Sequence, residues 1–522
     1  MNVSAASEGV LPDRDLDSNS ADDSYSEIIK STSIIGGSQA INYVIGMVRT
    51  KLIALLLGPS GVGLIGLFQS SIAIVTQLTG LGIASSGVRQ IAEAHGSENA
   101  EDIGRTIRVL RRACWVTGIL GWVVTAILSR PLSIWAFETP ENATLIALLG
   151  ASLFFTAISG GQKAAIQGTR RIGDLARMIV ISSLASSAVA IAIYWVFGEH
   201  GIVPVLIITA LINLAVSWWF VRRVEIPPAT ELTWGETFRE SKQLTGLGIA
   251  FMWGGLLAAL VDMGVRSLII RDIGVDGTGI YQAVWALSGM FANFILGAMG
   301  ADFYPRLTAV ADRHKLMNSM VNEQIEIGVL IALPGLLGTL AFAPMLLMIF
   351  YSSEFMVGAI LLPWFVAGIF FRVVSWPVGF TILAKGATKW FLLTQTSFYA
   401  VQIVAVWYLI KPLGLVGVGI GFFLAFLPIF VLNLLIAYRL SGFAWSVSVM
   451  RVVIPSACVV AVGFACATLL PTAWNMTIGG FLTVGAGLTS IRGITKRLGP
   501  EHRIARTLNR IPGMRFLLSN LI

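Results

Sequence analysis

The chain has 522 residues, of which 56% are hydrophobic and 12% charged, with a net charge of +8 and a mean hydropathy of +0.80. This composition excludes an ordinary soluble globular protein. The basic residues lie in short clusters between long apolar runs, so the positive balance is a topological signal and does not mark a nucleic-acid partner.

In chain order, residues 1–26 are acidic and polar (Glu8, Asp13, Asp15, Asp17, Asp22, Asp23) and lack the basic-then-apolar plan of a cleaved signal peptide. They are expected to form a disordered tail. A bilayer core about 30 Å thick needs roughly 20 apolar residues of helix. Fourteen runs meet that need: 31–57, 63–86, 114–128, 142–165, 175–197, 202–221, 244–270, 279–303, 325–350, 356–383, 391–410, 415–438, 452–470 and 472–491. They are continuous, without the polar–apolar alternation of barrel strands, so the fold class is an all-α polytopic membrane protein. Pro334, Pro363, Pro377 and Pro428 fall inside runs and are expected to kink them. The charged, proline-containing segment 223–243 reads as a cytoplasmic linker. The tail 492–522 is basic with recurring apolar residues, which suits either a helix on an anionic leaflet or a tail that only holds topology.

Lys and Arg give the orientation. With the N-terminal tail and every second loop assigned to the cytoplasm, 29 of the 36 basic residues lie on that side. Three lie opposite (Arg130, Arg271, Lys411) and four inside runs (Arg49, Lys51, Arg266, Arg372). The positive-inside rule is satisfied with both termini cytoplasmic.

Enzymatic chemistry has little to stand on. The three cysteines (Cys114, Cys458, Cys466) have no metal-type spacing, the four histidines do not cluster, and no outer loop is long enough for a catalytic domain. No cofactor or metal is expected.

A repeat at an offset of 216 residues is the second strong signal. Gly58-Pro-Ser-Gly61-Val-Gly63 follows the first run, and Gly274-Val-Asp-Gly277-Thr-Gly279 follows the seventh. Phe154-Phe155 matches Phe370-Phe371, and Gly82 to Arg89 echoes Gly300 to Arg306. Six runs per copy gives both copies the same orientation, so the expected plan is two parallel six-helix repeats plus two C-terminal helices. The halves are then 27–222 and 244–439, with the extra helices in 440–491.

This plan, together with Lys51-Leu-Ile-Ala-Leu-Leu-Leu-Gly-Pro-Ser-Gly-Val-Gly-Leu64 and Phe303-Tyr-Pro-Arg306, resembles the Wzx-type O-antigen and lipid-linked oligosaccharide translocases. These belong to the polysaccharide transporter family of the multidrug/oligosaccharidyl-lipid/polysaccharide exporter superfamily. The resemblance covers residues 26–438; the acidic N-terminal tail and the two extra helices depart from it. It implies a flippase carrying undecaprenyl-pyrophosphate-linked oligosaccharide from the cytoplasmic to the outer leaflet of a bacterial inner membrane, by alternating access, for O-antigen, exopolysaccharide or capsule. It also implies glycosyltransferases and a polymerase as partners.

The charges inside the runs support an anionic headgroup, because intramembrane charge is costly and usually faces a functional interior. Arg49, Arg266, Arg372 and Lys51 are the candidate residues of a cationic cavity, since guanidinium pairs bidentately with phosphate. After the 216-residue shift, Arg49 and Arg266 differ by one position and are expected to face each other. Asp262 is the candidate site for a coupling H+ or Na+. Alternatives stay open: Arg49 and Lys51 as snorkelling side chains, and Asp262 with Arg266 as a structural i,i+4 pair. An ion-coupled multidrug or small-molecule antiporter of the same superfamily is the rival function.

Overall fold

In lipid only a helix or a closed barrel satisfies the backbone of a spanning segment. The computed structural model describes residues 18–80, 82–83, 87–88, 90–91, 100–169, 171–224, 232–245 and 248–498, and every regular element among them is helical. The helices are α1 (Ser18–Gly80), α2 (Ala100–Phe137), α3 (Ala143–Gly168), α4 (Ile172–Phe197), α5 (Ile202–Val221), α6 (Trp234–Thr245), α7 (Gly248–Asp272) and α8 (Val275–Ala309). They continue with α9 (His314–Ala341), α10 (Ala343–Phe350), α11 (Leu362–Ala384), α12 (Thr388–Leu413), α13 (Leu415–Ser441), α14 (Val447–Leu469) and α15 (Thr472–Leu498).

Ten stretches of the described residues are long and apolar enough to cross a membrane. The chain is thus an all-helical polytopic membrane protein. Two of the ten, Gly37–Gly80 and Ile172–Val221, run for 44 and 50 residues; the first covers most of the first two expected runs and the second contains the fifth and sixth. The first bends at Gly58, and the second at the 3-10 turn Gly198–Gly201. Helices α8 and α15, the counterparts of the eighth and fourteenth runs, fall outside the ten.

Several boundaries differ from expectation. Helix α1 starts at Ser18, so residues 18–26 of the expected disordered tail are helical; no Gly or Pro interrupts the sequence from Ser18 to Ile35. Residues 1–17 lie outside the described residues, as do 499–522. The ninth run is split at Phe342, because Pro344 opens the separate helix α10. The tenth run begins as a 3-10 turn, Ser353–Ile360, and Pro363 stands in the first turn of α11. Pro363 therefore starts a helix where a kink was expected, while Pro334, Pro377 and Pro428 do lie inside helices.

The two glycine turns pack on each other. A Cβ on Gly63 would lie 2.5 Å from the Val275 carbonyl, and one on Gly279 would lie 1.8 Å from the Pro59 carbonyl. Both Gly63/Gly279 and Pro59/Val275 are 216 residues apart, so the contact is reciprocal, as between elements related by a two-fold axis. The backbones agree too. Gly198 (φ 54, ψ −135) and Gly414 (φ 57, ψ −138) adopt one conformation at the same offset, which L-residues rarely take.

From that turn, α1 runs antiparallel along α7. Gly66 faces Arg266, Ser70 meets Asp262, and Gln77 lies against Gly255. On the side of the membrane bearing few basic residues, Arg271 pairs with Glu138 (2.6 Å) and Ser267 donates to the Trp135 carbonyl (2.7 Å). Helices α14 and α15 both pack on α9. Asn322 accepts from the Ser446 amide (2.9 Å), Asn475 donates to the Leu340 carbonyl (3.1 Å), and Arg497 pairs with the buried Glu326.

A candidate cationic cavity

Helices α7, α8, α11, α12 and α13 enclose a cavity of about 430 Å³. Arg372, on α11, lines it. It stands twelve residues before Ala384, about 18 Å from the basic end of the helix at 1.5 Å per residue. Among the described residues Arg372 has no carboxylate within ion-pair distance. A guanidinium held among apolar helices without a counter-ion is a strong attractor for an anion.

Asp262 reaches the same cavity from α7, but its charge is already matched. Arg266 holds it bidentately, Nε to Oδ2 and Nη2 to Oδ1, both at 3.0 Å. Ser70 on α1 adds its hydroxyl to Oδ2 at 2.6 Å. Arg266 itself is only 4% exposed, lies over the Tyr281 ring at 5.5 Å, and does not line the cavity. Its Nη1 occupies the space that a side chain on Gly66 would fill, 2.5 Å from the Cβ position. With Asp262 and Arg266 cancelling, the net charge of the cavity wall comes from Arg372.

The other two cations are elsewhere. Arg49 lines a groove of about 280 Å³ between α1 and α8, with Tyr43, Met290 and Tyr351. The offset of 216 pairs Arg49 with Val265 and Arg266 with Thr50. One residue is about 100° of helix turn, so the two arginines leave their helices in different directions and share no cavity. Lys51 donates to the Met348 carbonyl at 2.6 Å, in the last turn of α10, where a cation suits the negative end of the helix.

Most of the cavity's remaining wall comes from residues that are not ionisable. Gln395, Tyr399 and Gln402 line it from α12. Their spacing of four and three residues puts them on one face of the helix, a pattern visible in the sequence. Asn433 adds an amide whose Oδ1 is buried without a partner among the described residues. Aromatic rings form much of the remainder: Trp285 is edge-on to Phe422 at 5.4 Å, and Trp376 edge-on to Phe380 at 4.4 Å. One guanidinium, several amides and broad ring faces can together hold an anionic group, hydroxyls and the apolar faces of sugar rings. On α1 it is Ser70, and not its exposed neighbour Gln69, that hydrogen-bonds across to α7.

Comparison with known proteins agrees with this architecture. The lipid III flippase of Escherichia coli (strain K12) is 20% identical over 409 residues, covering 78% of this chain and 97% of the relative. The structure of the lipid II flippase MurJ in an inward closed conformation superposes with a TM-score of 0.64 at 11% identity, over 89% of this chain and 99% of that one. An inward-facing multidrug resistance MATE transporter of the MOP superfamily gives a TM-score of 0.60 at 16% identity, over 77% and 96%. The fold is therefore the one shared by MurJ and the MATE transporters. A family model described as polysaccharide biosynthesis protein matches residues 52–359, more than half of the sequence. The chain belongs to the polysaccharide biosynthesis protein family.

Proposed function

We propose that this protein is a flippase that moves undecaprenyl-pyrophosphate-linked oligosaccharide from the cytoplasmic to the outer leaflet of a bacterial inner membrane. It is a transporter and not an enzyme. The observation that carries the reading is Arg372: a guanidinium with no carboxylate at ion-pair distance among the described residues, in a cavity whose one acid, Asp262, is already held by Arg266. Family membership and the lipid III flippase relative support a lipid-linked glycan as cargo. In this reading the pyrophosphate meets Arg372, the sugars meet Gln395, Gln402 and Asn433, and the polyprenyl tail stays in the bilayer. Arg49 and Lys51 serve the seam between halves and not the headgroup.

The proposed topology has fourteen spans with both termini cytoplasmic, as two parallel six-helix halves, 27–222 and 244–439, joined by the linker 223–243, plus two C-terminal spans. The reciprocal contact of Gly63 with Gly279 and the matched backbones of Gly198 and Gly414 support that division. A glycosyltransferase supplying the cargo and a polymerase consuming it are the partners this reading calls for; O-antigen, exopolysaccharide and capsule all fit it.

The test is leaflet-resolved accumulation of lipid-linked glycan in cells lacking the protein. Wild type is expected to clear pyrophosphate-linked glycan from the cytoplasmic face, and a normally inserted Arg372→Ala variant is not. Normal transbilayer movement without the protein, in cells with no redundant flippase, would sink the cargo assignment. The antiporter reading would then lead, since Asp262 lines the same cavity and the fold is shared with MATE transporters. In that case H+ or Na+ would compete with Arg266 for Asp262.

A further inference from the structure

A second groove, of about 440 Å³, lies outside the bundle, where α2 meets the linker helix α6. Its α2 wall consists of Arg108, Arg111, Arg112, Trp115, Val116 and Ile119. These residues are spaced three, four, seven, eight and eleven positions from Arg108, which is one face of a helix. The face is basic at the end that belongs to the positive side of the membrane and apolar beyond. Arg108 and Ile119 are about 16 Å apart along the axis. Trp115, Val116 and Ile119 are each about half exposed, and Trp234 of α6 closes the basic end.

Arg112 is fixed in place. Its Nη1 donates to the Leu232 carbonyl at 2.7 Å and to the Thr237 hydroxyl at 3.0 Å, and its guanidinium lies 5.0 Å from the Trp234 ring. The one acid on the facing turn of α6, Glu236, is held by the Thr233 amide and hydroxyl at 2.9 and 2.8 Å. Val109 and Leu232 bury each other beneath the groove. The linker between the two halves is thus docked on the floor of a basic-to-apolar trough.

We propose that this groove binds one anionic phospholipid of the cytoplasmic leaflet. The phosphate would sit between Arg108, Arg111 and Arg112, and one acyl chain along Trp115, Val116 and Ile119. The charge sequence along the groove matches that of such a lipid, whereas a free anion would leave the apolar half of the α2 wall unfilled. Because Arg112 also holds α6, the lipid would brace the linker. The site is separate from the cavity at Arg372 and stands whatever the cargo is.

Native mass spectrometry of the detergent-purified full chain tests the proposal, with phosphatidylglycerol, phosphatidylcholine, a polyprenyl pyrophosphate and inorganic phosphate as probes. The expected result is one retained phosphatidylglycerol per chain, no retained phosphatidylcholine, and affinity lowered roughly tenfold or more in R108Q/R111Q. V116E, which blocks the acyl track, should weaken retention as well. Equal retention of phosphatidylcholine, or unchanged binding in R108Q/R111Q, overturns the site. Complete displacement by inorganic phosphate makes it a bare anion site, and preference for the polyprenyl pyrophosphate makes it a cargo station; both overturn the phospholipid assignment. If the double variant does not fold, R111Q and the salt dependence of the wild type decide, and salt-independent retention in both counts against the proposal.

Discussion

Ser70 donates its hydroxyl to Asp262 at 2.6 Å, across the seam between α1 and α7, while Arg266 grips the same carboxylate from within α7. One acid therefore serves both an intrahelical pair and the contact between α1 and α7. Asp262→Asn would leave Arg266, 4% exposed, without its counter-charge. Breaking a buried pair from one side typically costs about 3–5 kcal/mol, whereas replacing both partners with apolar groups is often neutral. Asp262→Asn is expected to lower the melting temperature of the purified protein, and Asp262→Leu with Arg266→Leu to restore much of it. If the single variant melts like wild type, the pair is not structural.

At the turn contact, Gly279→Ala would place a methyl 1.8 Å from the Pro59 carbonyl, where backbone must yield. Overpacking costs about 1–3 kcal/mol at typical core sites. The variant is expected to fold poorly or melt lower, and Gly63→Ala to behave alike. Gly480→Ala, whose Cβ would be 3.6 Å from the Phe342 ring, is the control and should match wild type in a thermal-shift assay.

For Arg372, lysine is not a conservative change, because a point charge cannot reproduce a planar fork. Loss of one charged hydrogen bond is worth about 1.5–3 kcal/mol, or roughly 10–100-fold in affinity. Arg372→Lys is expected to retain some transport of lipid-linked glycan in reconstituted vesicles and Arg372→Ala to retain none above background. Equal rates for all three proteins would remove Arg372 from the headgroup site.

The linker helix offers a pH test. Thr233 and Glu236 form a reciprocal cap, and the Thr233 amide and hydroxyl hold the Glu236 carboxyl below the usual carboxylate range, helped by Arg105 and Arg239. A depressed folded-state pKa contributes stability that is present above the unfolded value and is lost as pH falls through the folded one. Hydrogen-exchange protection of residues 234–239, corrected for intrinsic rates, should fall on acidification through that window. In Glu236→Gln the protection should no longer depend on pH there.

The helical runs and the offset of 216 were legible in the sequence because hydrophobic length and glycine spacing act locally, without reference to neighbours. Arg372 and Asp262 were legible for a related reason: an ionisable residue in an apolar run is conspicuous wherever it points. Direction was not legible. Arg49 and Arg266 stand one position apart after the shift, which sounds like equivalence and amounts to about 100° of rotation. Lys51 found its partner in α10, a helix that becomes visible only once Pro344 is read as a start. The amides of α12 were passed over because the helix, although the least apolar of the ten candidate spans, still passes as one on its average, which does not show which face is polar.

The reciprocal fit of the two glycine turns constrains two segments 216 residues apart to change together. Gly279 reads the backbone of Pro59, and Gly63 reads that of Val275, so neither copy is free to gain a side chain while the other keeps its course. Positions at that offset can differ in charge, as Arg372 and its uncharged counterpart Thr156 show, yet this pair of turns must stay small in both. A chimera that borrows one half from a relative should assemble when the borrowed turn carries glycine at the matching place, and jam at the seam when it does not.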